Sequence, residues 1–357
     1  MKKIVLTGGG SAGHVTPNLA IIPGLKKMGC EIHYIGTENG IEHTLIAADK
    51  DIIYHSVLSG KLRRYFSWQN FIDPFKVIAG AFQSAFLIAR IKPDILFSKG
   101  GFVAFPAVFG AWLCRIPVIC HESDLTPGLS NKLCKPFAKI ICTTFPECAK
   151  AVGKKGLYTG TPLRTSLFEG KREKGLEIGG FRGNKPLLLM TGGSQGAQSV
   201  NKALRAIVGR LTPQFDILHL CGKGNLDKTL EGVSGYSQAE YLSDGMNDAL
   251  AAADIVLSRA GSNTLCELQA LKKPSLLIPY PKGSTSRGDQ VLNAESFANR
   301  SLALVLSQSD MTPDSLYESI MKLWGKKDEI IRNLESAPAA NGTDAILRLI
   351  AQNAKKR

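Results

Sequence analysis

What this chain lacks narrows it first. Its eight cysteines (30, 114, 120, 134, 142, 148, 221 and 266) form no C-x-x-C pair and no Cys/His ligand spacing, which argues against structural zinc. Several lie in apolar runs such as 117–120, where a free thiol behaves as a small hydrophobe, and this usage fits a reducing compartment. No apolar run approaches the roughly 20 residues needed to cross a bilayer. The stretch 77–91 is broken by Gln83 and Ser84, and 100–114 by Pro106. No signal peptide is legible, because the only apolar residues between the first lysines and a glycine cluster are Ile4, Val5 and Leu6. Low-complexity tracts and short-period repeats are missing, as are helix-turn-helix, zinc-finger and RNP signatures, so no nucleic-acid partner is expected. The chain is therefore expected to be cytosolic or peripheral to a membrane.

Acidic residues are also few: 30 Asp and Glu against 44 Lys and Arg give a formal charge of +14. With nucleic acid set aside, such a surplus suits an anionic membrane surface or a phosphorylated substrate, or is simply a basic surface. With 357 residues, 44% of them hydrophobic and 21% charged, the chain has the composition of a folded protein with two cores.

Strand and helix patterns alternate throughout, which predicts an α/β protein with parallel sheets. The first series of strands is expected at 3–7, 31–35, 52–57, 95–98, 118–121 and 140–143, with the first helix starting near Pro17. A Gly/Pro-containing segment at 158–164 marks a boundary. A second series follows at 187–190, 216–220, 239–242, 255–258, 275–278 and 303–306, and an amphipathic helix from about 342 carries Thr343 or Asp344 near its cap.

One element occurs twice. Thr7-Gly8-Gly9-Gly10-Ser11-Ala12-Gly13-His14 and Thr191-Gly192-Gly193-Ser194-Gln195-Gly196-Ala197 each follow an apolar strand and precede a helix. Glycines there let the backbone approach a phosphate, and the helix start supplies N–H groups and a positive dipole end. Two such turns, each opening a βαβ unit, predict two nucleotide-type domains. The first also fits Gly-x-Gly-x-x-Gly, but a dinucleotide site calls for an acid at the end of the second strand, where Gly36 stands and Glu38 lies beyond. His14, next to the last glycine, is placed to accept a proton from a sugar hydroxyl or to serve as a polar residue of the helix start. In the second half the strand 255–258 runs through Arg259 into Gly261, and Ser262-Asn263-Thr264-Leu265-Cys266-Glu267 opens a helix: a diphosphate site, with Glu267 one turn in. Glu267 suits either the two hydroxyls of a ribose or the helix dipole. Asp289 and Gln290, with Asn293 beyond, are polar residues suited to reading sugar hydroxyls or to starting a helix.

These motifs, together with Thr16-Pro17, 121–128 and Ser258-Arg259-Ala260-Gly261, occur in one order that resembles the family of N-acetylglucosaminyltransferases of peptidoglycan synthesis, over essentially the whole chain. The resemblance implies a GT-B fold, two Rossmann-like domains with parallel sheets facing a cleft: 1–163 with the helix of about 342–357 returning to it, and 164–341 for the UDP-sugar. It implies inverting transfer of N-acetylglucosamine from UDP-N-acetylglucosamine to the 4-hydroxyl of the muramoyl sugar of lipid I, forming lipid II. No cofactor and no metal follow from it.

Position by position, the resemblance puts Ser194 on the donor diphosphate and Ser262, Asn263, Thr264, Leu265, Cys266 and Glu267 along the nucleotide, with Arg259 nearby. Leu242 would offer backbone to the uracil, Gln290 with Asp289 would hold sugar hydroxyls, and Arg164 would be a donor-site residue. Ser11, Ala12, Gly13 and His14 would form the facing loop, near the acceptor pyrophosphate. His121-Glu122-Ser123-Asp124 stands where enterobacterial-type relatives carry His-Glu-Gln-Asn, so Asp124 replaces an amide and joins Glu122 as a rival base. Phe102 stands where some relatives carry tyrosine.

A polyprenyl acceptor gives the charge a purpose. The segment 61–76 interleaves Lys61, Arg63, Arg64 and Lys76 with Tyr65, Phe66, Trp68, Phe71 and Phe75, suited to an anionic inner-membrane surface or to packing in the core. The resemblance adds cell-wall synthesis proteins as candidate partners and a peripheral location on the cytoplasmic face of the cell membrane. Other classes stay open at this point: a related transferase acting on a diacylglycerol or sterol, a nucleotide-dependent oxidoreductase or epimerase, and a non-catalytic binding or scaffold protein.

Overall fold

The computed structural model describes residues 2–60, 69–193, 196–242, 244–283, 288–338 and 340–355. The chain divides into two compact units, Met1–Arg164 with Ala339–Arg357, and Thr165–Pro338. Each is a parallel sheet with helices in its crossovers.

The first sheet contains β1 (Lys3–Thr7), β2 (Glu31–Gly36), β3 (Ile52–Ser56), β4 (Ile95–Ser98), β5 (Val118–Glu122), β6 (Ile140–Thr143) and β7 (Gly156–Tyr158), in the order β3-β2-β1-β4-β5-β6-β7. The order reverses between β1 and β4. At such a switch point the loops leaving the strand ends diverge to opposite faces and open a crevice, the usual ligand position in open α/β sheets. The register pairs Thr7 with Ser98 and Ser98 with Cys120, so Gly8, Lys99 and His121 emerge side by side from three neighbouring strands.

The second sheet contains β8 (Leu187–Thr191), β9 (Asp216–Leu220), β10 (Tyr236–Ala239), β11 (Ile255–Ser258), β12 (Ser275–Leu277) and β13 (Leu304–Val305), in the order β10-β9-β8-β11-β12-β13. Its switch point lies between β8 and β11, where Thr191 pairs with Ser258. The second glycine turn and Arg259 therefore leave adjacent strands.

Several sequence expectations shift. The first helix runs Ala12–Lys27, starting five residues before Pro17 and enclosing both Pro17 and Pro23. Proline costs a helix one backbone hydrogen bond, but this helix starts at the mouth of the glycine loop, and Thr16 Oγ1 donates to the Ala12 carbonyl at 2.9 Å. β10 sits three residues earlier than expected, because Tyr236 packs inward there, and β7 has no counterpart among the expected strands. The apolar run 77–91 lies inside a longer helix, Gln69–Ile91, whose 19 residues Asp73–Ile91 reach a mean hydropathy of 1.2 and meet the length and composition of a membrane span. The helix nevertheless packs on the protein: Ala81, Ser84, Ile88 and Ile91 are buried, and Gly110 of the helix Ala104–Leu113 lies against the Ser84–Ala85 backbone.

The helix Thr343–Asn353 joins the first core, where Ile346 and Ile350 are fully buried among Ile4, Ile21, Leu25 and Ile95. Thr343 Oγ1 accepts from Leu163 N and donates to Leu163 O, both at 3.1 Å.

Candidate active site

In the first unit, the glycine loop 8–14 lies against the β4 end. Gly9 N donates to Gly100 O at 3.4 Å, and a Cβ on Gly101, whose φ is +87°, would stand 2.1 Å from Gly9 O. Only glycine allows that approach. From behind, the carboxylate of Glu42 accepts from Gly10 N (3.1 Å), Thr37 N (3.1 Å) and Thr37 Oγ1 (2.6 Å), and Glu42 is wholly buried. An internal carboxylate thus engages a loop amide that an outside phosphate would otherwise seek. Tyr34, whose phenol burial pushes up, donates to Gly8 O at 2.6 Å.

Ser11 and Ala12 are exposed, while Gly13 and His14 are half-buried in the first helical turn. The loop after β5 forms the next wall. His121 is buried, with Nε2 donating to Gly160 O at 2.9 Å, and burial drives its pKa well below the ordinary imidazole value, helped by the nearby Lys99 charge. Glu122 is 3% exposed, and its carboxylate accepts from Asp124 N (3.1 Å), Gly128 N (2.8 Å) and Asn131 Nδ2 (2.9 Å). Three donors hold it as the organiser of this loop, whereas Asp124 stays half-buried and closer to solvent. Phe102 packs beside Gly10.

The second unit contains a cavity of about 310 Å³ at its switch point, lined by Thr191, Gly192, Gly193, Met246, Leu250, Ser258, Arg259, Gly261, Thr264, Glu267, Leu268 and Gln290. Four of the expected residues converge there: Arg259, Thr264, Glu267 and Gln290. Helical periodicity explains the selection, since Thr264, Glu267 and Leu268 lie on one face of the helix Ser262–Ala270. Leu265 and Cys266, at 0% and 2% exposure, belong to the core, so any contribution to a ligand comes from their backbone. Ser262 and Asn263 form the first turn after Gly261, a cap with no side-chain acceptor. Arg259 Nη1 donates to Ile278 O at 3.0 Å, with the guanidinium over the Tyr280 ring, and Gln290 Oε1 accepts from Tyr280 N at 2.9 Å. These contacts fix two long polar side chains at the cavity edge. Asp289, Leu242 and the exposed Arg164 do not line it, and Leu242 packs against the second core. Ser194 lies outside the described residues.

A third feature is apolar. Phe75, Phe82 and Phe86 are 73%, 69% and 69% exposed along one side of the helix Gln69–Ile91, with Ile78 between them. Phe105, Phe109, Trp112 and Phe137 stack next to this row, and a groove of about 310 Å³ runs between the two groups. Trp68 lies outside the described residues, as does the Phe71 side chain.

Residues 4–143 match the glycosyltransferase family 28 N-terminal domain and residues 187–350 its C-terminal domain. The chain belongs to glycosyltransferase family 28. Among its relatives is the UDP-N-acetylglucosamine–N-acetylmuramyl-(pentapeptide) pyrophosphoryl-undecaprenol N-acetylglucosamine transferase of Clostridium kluyveri, 51% identical over 351 residues, 98% of this chain and 99% of that one. The transferase of the same name from Clostridium tetani is 49% identical over 350 residues, covering 98% and 97%. The crystal structure of Acinetobacter baumannii MurG superposes with a TM-score of 0.78 at 25% identity, over 99% of this chain and 100% of that one. The fold is that of GT-B glycosyltransferases.

Sequence reasoning missed Glu42, Lys99 and Asn131. For Glu42 a signal existed: the first glycine fingerprint lacked its acid at the strand end, and a carboxylate six residues past Gly36 fills the corresponding space.

Proposed function

We propose that this enzyme transfers N-acetylglucosamine from UDP-N-acetylglucosamine to the 4-hydroxyl of the muramoyl sugar of lipid I, with inversion, yielding lipid II and UDP. The observation that carries this reading is near-complete coverage by the Clostridium transferases at about half identity, joined to a polar cavity at the helix start after Gly261. The donor binds the second unit. Its diphosphate meets the Ser262 helix start, Glu267 takes the ribose hydroxyls, and Gln290 at the cavity edge reads the sugar.

In the first unit the loop 11–14 receives the acceptor. As the acceptor O4 bonds to C1 of the N-acetylglucosamine, its proton passes to the His14 imidazole and then to water. The bond from C1 to the diphosphate oxygen breaks, and its electron pair leaves with UDP, whose growing charge the helix dipole and N–H groups stabilise. The three donors on Glu122 favour His14 or Asp124 over Glu122 as the base. His14→Ala is expected to lower kcat by about 10²–10⁴-fold with donor affinity nearly unchanged. If His14→Ala keeps the parent rate and acidic limb while Asp124→Asn loses them, the base is Asp124.

The exposed Phe75–Phe82–Phe86 row, on a chain of formal charge +14, suits peripheral docking on the anionic cytoplasmic leaflet, where the polyprenyl acceptor resides. The test of the function is turnover: incubation with UDP-N-acetylglucosamine and a lipid I analogue should add one N-acetylhexosamine mass to the acceptor. An unchanged acceptor, or equal affinity for NAD and UDP-N-acetylglucosamine by calorimetry, would contradict it.

A further inference from the structure

The cavity of the second unit is bordered by a cation with no counter-charge. Arg259 follows β11 directly and is half-buried, and the loss of water pushes its guanidinium pKa below the ordinary value. Its contacts among the described residues are all neutral. Nη1 donates to Ile278 O at 3.0 Å, Nη2 donates to Ser199 Oγ at 3.5 Å, and Cζ stands 5.5 Å from the centre of the Tyr280 ring. Glu267, the one acid lining the cavity, is not among these partners. A guanidinium taken out of water without a carboxylate calls for an anion from outside. Arg259 shares the cavity wall with Gly192, Gly193 and Gly261, the two glycine turns whose backbone suits a diphosphate.

Three groups decide where that guanidinium sits. Ile278 N donates to Ser258 O at 2.8 Å, and Arg259 Nη1 donates back to Ile278 O, so the paired ends of β11 and β12 fix one corner of the fork. Ser199, on the helix Gln198–Arg205, is exposed, and its contact is long. The third group is Tyr280, two residues past Ile278. An aromatic face attracts a cation within about 6 Å of the ring centre. It does so without occupying an N–H group, so the remaining donors stay available for phosphate oxygens.

The same residue acts a second time through its main chain, where Tyr280 N donates to Gln290 Oε1 at 2.9 Å. With Oε1 engaged, the Nε2 end of Gln290 is the one left for a ligand. Tyr280 therefore touches both long polar side chains of the cavity edge, and only the contact with Arg259 depends on its ring. The ring itself is 44% exposed, more than a core residue would be.

We propose that Tyr280 is a positioning residue for donor binding: its ring holds the Arg259 guanidinium at the cavity edge, already aimed at the donor diphosphate. The inference rests on the reading that the second unit binds UDP-N-acetylglucosamine, and it adds what fixes the cation that meets the phosphates.

The experiment compares the full-length parent with Tyr280→Leu, Tyr280→Phe, Arg259→Met and the double variant of Arg259→Met with Tyr280→Leu. Affinities for UDP and UDP-N-acetylglucosamine are measured by calorimetry, and for uridine, which has no phosphate, by ligand-observed NMR. Tyr280→Leu keeps apolar bulk and removes the ring, so it should weaken both diphosphates about 3- to 10-fold and by the same factor. Uridine binding and the melting temperature should stay close to parent. Tyr280→Phe, which keeps the ring face, should restore the affinity. In the Arg259→Met background Tyr280→Leu should cost nothing further, because the two residues act as one unit. Parent-like UDP affinity in Tyr280→Leu would overturn the proposal, as would additive losses in the double variant. An equal loss for uridine, or unfolding of Tyr280→Leu, would also overturn it, by giving the ring a nucleoside or folding role. A parent that binds neither UDP nor UDP-N-acetylglucosamine would instead overturn the donor-site reading, and this inference with it.

Discussion

Glu267 faces the cavity from one turn inside its helix, where a carboxylate can accept from two vicinal hydroxyls at once. Glu267→Ala is expected to raise the donor KM by an amount worth about 1–3 kcal/mol with a smaller change in kcat, measured by steady-state kinetics. A second residue links the fold to pH. His219 on β9 is buried, with Nδ1 at 2.8 Å from the Tyr236 hydroxyl and Nε2 at 3.0 Å from Asn201 Oδ1, and burial lowers its pKa to about 3. The unfolded chain takes up a proton near pH 6.5 that the folded chain refuses, so this group weakens stability as pH falls from about 6.5 towards 3, by roughly 1.4 kcal/mol per unit, and has no such effect above that range. Denaturant melts at pH 7 and pH 5 should therefore show a smaller loss in His219→Gln than in the parent; equal losses would remove His219 from the account. Residues of this kind divide by legibility. Glu267 was readable because it stands at a fixed distance from a glycine helix start. Lys99 was not, because Ser123 lies in the loop after another strand and meets it only once the parallel register is known, and Glu42 left only the indirect signal of the acid missing at Gly36.

Among the elements, the helix Gln69–Ile91 carries the sharpest expectation. Its Phe75, Phe82 and Phe86 side chains are mostly exposed, so replacing all three by Ser removes apolar surface without opening a cavity. The triple variant should keep the parent melting temperature within a few degrees and release from anionic liposomes in flotation. Unfolding would place those rings in the core, and unchanged binding would assign docking to another surface. The strands were read well where apolar runs are continuous, as in Lys3–Thr7, Ile95–Ser98 and Ile255–Ser258, because strands of a parallel sheet are buried on both faces. They were read poorly at β10 and β7, where Tyr236, Gln238 and the short Gly156–Tyr158 give no apolar run. The start of the first helix was misplaced for a local reason. Proline at a first turn is a strong signal, but here the glycine loop delivers the chain directly into the helix at Ala12.

At the scale of the whole molecule, one architectural idea is used twice, with different occupants. Both sheets reverse order beside the first strand of their series, and both place a glycine turn there. In the first unit an internal carboxylate, Glu42, engages the turn, whereas in the second the turn borders an open cavity lined by Arg259, Glu267 and Gln290. That asymmetry supports the proposal that the nucleotide binds the second unit and the acceptor the first, with transfer between two sugars as the central claim. The most direct measurement is NMR of the product formed from UDP-N-acetylglucosamine and a lipid I analogue. The donor sugar is α-linked, so a single displacement predicts a β-linked N-acetylglucosamine on O4 of the muramoyl residue, with release of one UDP per linkage formed. An α-linked product, attachment at another oxygen, or donor consumption with no disaccharide would contradict the account.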